Sequence, residues 1–184
     1  MDVTDLLLRR RELMMGGVKS KVLPVGYTSI EYVQCPYTKA FTTDVIAGGT
    51  QWDFDIENIN SSNLMFVAYR VNAGCYVGIQ GGKYWLGGGV MSSSSCLGRQ
   101  NPKVTFESNK VVLNVNGETK ERGPGGYSNN FVQLFQLDGS YKYNGKVYSV
   151  KCNDGALFDG VPAMRISDNA NGIYDFVSGK FYPV

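Results

Sequence analysis

The chain has 184 residues, 43% of them hydrophobic and 18% charged, a balance that suits one domain with a sizeable core. Its net charge is only +2, and residues 1–21 hold that excess: Arg9, Arg10, Arg11, Lys19 and Lys21 stand against Asp2, Asp5 and Glu12. The remainder is neutral and lacks the basic footprint of a nucleic-acid-binding domain. There is no histidine, which excludes Ser-His and Cys-His nucleophiles and removes the commonest zinc ligand.

Residues 2–15 (DVTDLLLRRRELMM) read as one short helix, capped by Asp2, Thr4 or Asp5 and ended by Gly16-Gly17. Val3, Leu7 and Met14 share a face. A helix this short is marginal alone, so it is expected to form against the body, a sister subunit or another protein. Leu6, Leu7, Arg9, Arg10, Arg11 and Met14 are the docking residues of that reading, and residues 1–21 form a helix-and-linker unit ahead of a body at 22–184. Leu6-Leu7-Leu8 is too short for a signal-peptide core and precedes its arginines, so no secretion signal is expected. No run of about 18 apolar residues occurs, so no membrane span is expected either.

From Val22 onward the pattern is that of strands. Candidates are Ile30–Gln34, Gln51–Glu57, Asn63–Arg70, Cys75–Gln80, Lys83–Leu86, Val104–Glu107 and Lys110–Val115. Phe131–Leu137, Lys146–Cys152, Ala156–Phe158 and Ile173–Val177 follow. Asn116-Gly117, Asp138-Gly139, Asn144-Gly145, Asp154-Gly155, Asp159-Gly160, Asn171-Gly172 and Ser178-Gly179 read as turns, because Asn-Gly and Asp-Gly supply the positive φ of two-residue hairpins. Gly87–Gly89 and Ser92–Ser95 read as a mobile loop. Many short strands at this spacing predict an antiparallel β-sandwich.

Cys35, Cys75, Cys96 and Cys152 are scattered singly, with no C-x-x-C pair. Two disulfides in three connectivities remain open, with free thiols favoured where no secretion signal is seen. No cofactor or metal is expected. Calcium, which takes oxygen ligands, finds no acidic loop cluster.

Two stretches carry a resemblance. Leu23-Pro24-Val25-Gly26-Tyr27-Thr28-Ser29-Ile30-Glu31-Tyr32-Val33 resembles the "LPxGYTxLEYI" opening of a domain found in phages and prophages of gut bacteria. Gly145–Lys151, Val161–Arg165, Asn171-Gly172-Ile173-Tyr174-Asp175 and Ser178-Gly179-Lys180-Phe181-Tyr182 resemble its "GlyD…nGkFY" close. The opening departs from the pattern at Thr38–Thr43, where "TQYIDT" is usual. The resemblance implies a concanavalin A-like or laminin-G-like jelly roll on a virion surface protein: head fibre, decoration or tail module. Such a protein would assemble in the host cytoplasm, dock onto other virion proteins through its N-terminal helix, and form a homo-oligomer such as a trimer. The family's arrangement also suggests that Tyr27 and Tyr32 pack the first strand against the last, and that Arg165 pairs with Asp175.

Trp52-Asp53-Phe54-Asp55-Ile56-Glu57 places three carboxylates on one face of a strand and three apolar side chains on the other. It resembles the "E-x-D-x-E" strand of jelly-roll glucanases, whose outer glutamates are nucleophile and acid/base. Asp53 stands where the nucleophilic glutamate would be, so hydrolysis using Asp53, Asp55 and Glu57 is the weakest of three readings, and the chain is read as no enzyme. Adhesion to surface or mucus glycans needs no histidine, because sugars stack on aromatic rings and bond to amides and carboxylates. Tyr76, Tyr84, Trp85, Tyr127, Tyr141 and Tyr143, near turns or strand ends, are the candidate contacts. A free or cell-surface carbohydrate-binding module of a gut bacterium is the alternative setting.

Overall fold

The computed structural model describes residues 21–35, 41–59, 64–69, 76–87, 89–107, 110–123, 131–137 and 141–184. The N-terminal helix, its docking residues, Cys75 and Tyr127 lie outside the described residues. Among those described there is no helix.

The strands run in chain order from β1 (Tyr27–Ser29), β2 (Val33–Gln34), β3 (Phe41–Ile46) and β4 (Thr50–Asn58) to β5 (Leu64–Tyr69) and β6 (Tyr76–Gln80). Next come β7 (Lys83–Leu86), β8 (Val90–Ser95), β9 (Gly98–Gln100), β10 (Lys103–Phe106), β11 (Val111–Val115) and β12 (Glu118–Arg122). The chain closes with β13 (Phe131–Leu134), β14 (Gln136–Leu137), β15 (Tyr141–Lys142), β16 (Gly145–Cys152), β17 (Phe158–Arg165), β18 (Ala170–Asp175) and β19 (Phe181–Pro183).

All pairings are antiparallel. The larger sheet runs β12-β11-β10-β4-β16-β17-β18-β19, with β9 beside β4, β2 beside β16 and β1 beside β17. The smaller runs β3-β13-β5-β6-β7-β8, and β14-β15 form a separate pair. Trp52, Phe54, Ile56, Val104 and Val150 of the larger sheet share one core with Val77, Ile79, Tyr84, Leu86, Val132 and Leu134 of the smaller. Two antiparallel sheets burying their facing sides together are consistent with a β-sandwich.

Alternation explains the elements best seen from sequence. In β4, Trp52, Phe54 and Ile56 are buried while Asp53, Asp55 and Glu57 are only half-buried, as period two requires. Asn116-Gly117 makes the β11–β12 turn with φ of 51° and 76°, and Asp154-Gly155 turns with 54° and 85°.

Three other dipeptides are not turns. Gly145, Gly160 and Gly172 lie within β16, β17 and β18. A Cβ on Gly160 would stand 2.6 Å from Ile173 Cγ2, and one on Gly172 would stand 2.7 Å from the Phe181 ring. These glycines serve close approach, not chain reversal.

The Ser-rich stretch is likewise β8, not a loop. The Ser92 hydroxyl accepts the Tyr84 N–H at 3.0 Å, and the Glu118 carboxylate accepts the N–H groups of Ser93 (2.8 and 2.9 Å) and Ser94 (3.0 Å). Glu118 thus satisfies an edge strand that has no further neighbour in its sheet, a known way of blunting a sheet edge. Those N–H donors, then Lys120, hold its carboxyl well below the usual carboxylate range. On the other flank, Phe41 stacks on Tyr182 (4.2 Å between centroids) and Lys180 pairs with Asp44, tying β3 to β19.

Tyr27 packs against Tyr174 and Phe181 (4.9 and 5.3 Å), so the first strand does meet the last two. Tyr32 packs instead on Tyr148 of β16 (5.7 Å). Arg165 pairs with Asp168 in a bidentate contact (3.0 and 2.6 Å), not with Asp175. The Asp175 carboxylate accepts the N–H groups of Asp159, Val177 and Ser178 and the Ser178 hydroxyl, so it organises the β18–β19 turn.

Candidate functional site: two outer faces and a cavity

The carboxylates of β4 face away from the core on the larger sheet, with β9 and β10 along one edge and β16 along the other. Basic residues fall opposite them: Lys103 and Lys151 pair across from Asp53, and Arg99 and Lys146 across from Glu57. Asp53 meets Lys103 at 3.1 Å, Asp55 takes a bidentate contact from Arg99 (2.9 and 2.8 Å), and Glu57 meets Lys146 at 3.0 Å. A β-bulge in β16 leaves Tyr148 as an extra residue between Val147 and Ser149, and its hydroxyl donates to Glu57 at 2.7 Å. Arg99 lies 3.8 Å from the centre of the Tyr148 ring, and Lys146 lies 4.7 Å from that of Tyr32.

This arrangement works against acid catalysis. The Tyr148 hydroxyl first, then Lys146, hold the Glu57 carboxyl below its ordinary value, whereas a glycosidase acid needs its proton retained near neutrality. Beside this cluster a shallow cleft of about 320 Å³ is lined by Asp53, Asp55, Lys103, Ser149, Lys151 and Asp154 among others, all suited to bonding hydroxyl groups.

The smaller sheet has a different outer face. On β7, Tyr84 and Leu86 point into the core, so Lys83 and Trp85 point outward. Trp85 stands across from Gly78 of β6 on one side and Met91 of β8 on the other. Tyr76, two residues from Gly78, meets it edge-on at 5.1 Å between centroids. Both rings are half-buried and Met91 is exposed. Gly78 itself is buried on this outward-facing side of β6.

Two predicted contacts belong elsewhere. Tyr84 and Tyr143 are fully buried in the core. The Tyr84 hydroxyl is bonded to the Asn58 amide (3.3 Å), and Tyr143 donates to the Glu57 carbonyl (3.0 Å). Burial pushes both phenols above their ordinary values. Neither ring is open to a ligand; strand ends near turns hold core tyrosines as readily as exposed ones, because Tyr carries both apolar bulk and a polar tip. Of Tyr141 only the backbone, in β15, is described.

Cys35, Cys96 and Cys152 are buried, and burial raises the thiols of Cys96 and Cys152 to about 11 and about 12, which disfavours their thiolates. No group of three or more potential metal ligands gathers among the described residues.

Sequence alone singles out none of Arg99, Lys146 and Tyr148 as site residues, and it points to Tyr32 only for packing. Alternating polar residues in 146–151 was the only signal, and the pairing that brings them to Glu57 spans about ninety positions.

A third feature lies where the β3–β4, β16–β17 and β18–β19 turns converge. A cavity of about 460 Å³ opens there, with Ile46, Leu157 and Val177 at its mouth and Phe158 deeper in.

Compared with known proteins, the chain matches no protein-family model and no curated protein.

Proposed function

We propose that this chain is a non-catalytic glycan-binding protein of a phage surface, built on a jelly roll of the concanavalin A-like type. The observation that carries the binding reading is the Trp85–Tyr76 pair. Two half-buried rings on an outer sheet face, flanked by Gln80 and Lys83, offer what a sugar uses: ring surface for its C–H face and donors for its hydroxyls. The polar cleft over β4 and β16 supplies a second hydroxyl-bonding surface. Its carboxylates Asp53 and Asp55 are ion-paired with Lys103 and Arg99, an arrangement that suits holding hydroxyl groups.

The virion setting rests on the resemblance of residues 23–33 and 145–182 to domains of phages and prophages. Two measurements test the proposal. Full-length protein is applied to a panel of bacterial surface polysaccharides and mucus glycans: binding that falls more than about tenfold in Trp85→Ala (about 1.4 kcal/mol or more) supports the reading. Silence across the panel overturns it. Immunogold labelling of purified particles then tests the setting. Gold at a fixed place on capsid or tail supports a virion component, and clean particles with protein on cells or in the medium return the free module.

A further inference from the structure

The cavity where the three turns meet differs from both outer faces. Ile46, Leu157 and Val177 are 47%, 45% and 48% exposed and gather around it. Its volume lies within the range of small-molecule sites. Two polar groups on its wall retain bonding capacity. Asp44 engages Lys180 through Oδ2, leaving Oδ1 open, and Asn153 accepts the Gln51 N–H through Oδ1, leaving its Nδ2 without a partner among the described residues.

The turns that bring these groups together are locally enforced. Gly49 adopts φ of 74°, a left-handed conformation. Asn153, Asp154 and Gly155 take three consecutive positive φ values, pinned to β4 by Asn153 N–H to the Gln51 carbonyl and Gln51 N–H to Asn153 Oδ1, both at 2.9 Å. The Gly48-Gly49 backbone stands open, with nothing within 4 Å of where a Cβ would lie.

An apolar mouth with one free acceptor and one free amide donor matches a compact group that joins a methyl to an amide. We infer that this cavity is a binding site for the acetamido group of an N-acetylated amino sugar. The methyl would lie among Ile46, Leu157 and Val177, the amide N–H would donate to Asp44 Oδ1, and the amide carbonyl would accept from Asn153 Nδ2. A plain hexose offers hydroxyls to an apolar wall and leaves it unfilled. A free amine brings a charge, and neither carboxylate on the wall is open to it: Lys180 already neutralises Asp44, and Asp175 is engaged by the N–H groups of Asp159, Val177 and Ser178 and the Ser178 hydroxyl.

The inference rests on the glycan reading, but its site is separate. Four inter-strand steps divide β3 from β7 in the smaller sheet, roughly 19 Å at the usual spacing.

Saturation-transfer NMR on the full chain tests it, with N-acetylglucosamine as probe and glucose and glucosamine as controls. The acetyl methyl is expected to receive the strongest saturation. The controls are expected to give little, and Leu157→Asp, at an exposed position, is expected to weaken the acetyl methyl signal at least tenfold while Arg122→Ala, exposed on edge strand β12 of the larger sheet, leaves it unchanged. Val177→Asp checks that the loss belongs to the cavity and not to one misfolded variant. Equal saturation of glucose, ring protons saturated above the methyl, or loss in Trp85→Ala with retention in Leu157→Asp overturns the inference. If N-acetylglucosamine gives no signal while polysaccharide still binds through Trp85, this inference falls and the glycan reading stands. Loss of both ends the two together.

Discussion

The outer faces of the two sheets cover the same core and are built on opposite plans. Over the larger sheet, an acidic line on β4 is flanked by basic residues on β9, β10 and β16, and charges opposite one another are matched. Over the smaller, Trp85, Tyr76, Met91, Ile46 and Phe131 stand with few charges around them. Matched charges on neighbouring strands keep a face in water and fix strand register. Half-exposed aromatic and aliphatic side chains do neither, and their cost in water is offset when something binds. The difference fits the proposed function, in which the smaller sheet's face carries recognition and the larger sheet's matched charges hold register around a secondary polar cleft.

The largest expected effect lies beneath both faces. Trp52→Ala empties a fully buried site whose ring touches Phe54 and Phe158, and should cost about 3–5 kcal/mol in urea unfolding. Gly160→Ala should cost about 1–3 kcal/mol by overpacking against Phe158 and Ile173. A silent Gly160→Ala would mean that β17 can shift, and that the register beneath the charged face is loose.

Smaller effects separate the faces themselves. Glu118→Gln should lower the urea midpoint at pH 7 and converge with the native protein in acid. The folded carboxyl is held below its unfolded value, so its contribution is present above the unfolded value and lost as pH falls through the folded one. A pH-independent gap between the two proteins would contradict the edge-capping role.

Arg99→Ala should move the melting temperature least, because the Arg99–Asp55 pair is open to solvent. Glycan binding should be kept in that variant. If Arg99→Ala abolishes binding as Trp85→Ala does, the division between the faces is wrong.

How much of this was readable from the chain depends on distance along it. The β4 alternation, the Asn116-Gly117 and Asp154-Gly155 turns and the all-β class are local, and the sequence displays them. Gly145, Gly160 and Gly172 misled because a glycine needed for close approach looks the same as one needed for a turn; only the Phe181 and Ile173 side chains that pack there tell them apart.

β8 was read as a loop because four serines lack strand character, and Glu118, twenty-four residues away from Ser94, supplies what they lack. For the candidate site, Trp85 and Tyr76 were legible as aromatic residues near strand ends. Tyr84 and Tyr143 carried the same signal and went to the core. The cavity was not legible at all, since its walls come from two hairpin turns and the β3–β4 crossover between sheets, which only the complete fold brings together.

Tryptophan emission offers the most direct test of recognition at the smaller sheet. The chain has two tryptophans, and Trp52 is sealed in the core, so a ligand-induced change reports Trp85. Full-length protein titrated with a host surface polysaccharide should show Trp85 emission shifting and becoming protected from acrylamide, with both changes absent in Trp85→Ala. Saturable binding of the same polysaccharide, seen by an independent method, with Trp85 still fully quenchable would contradict the account and place recognition elsewhere on the molecule.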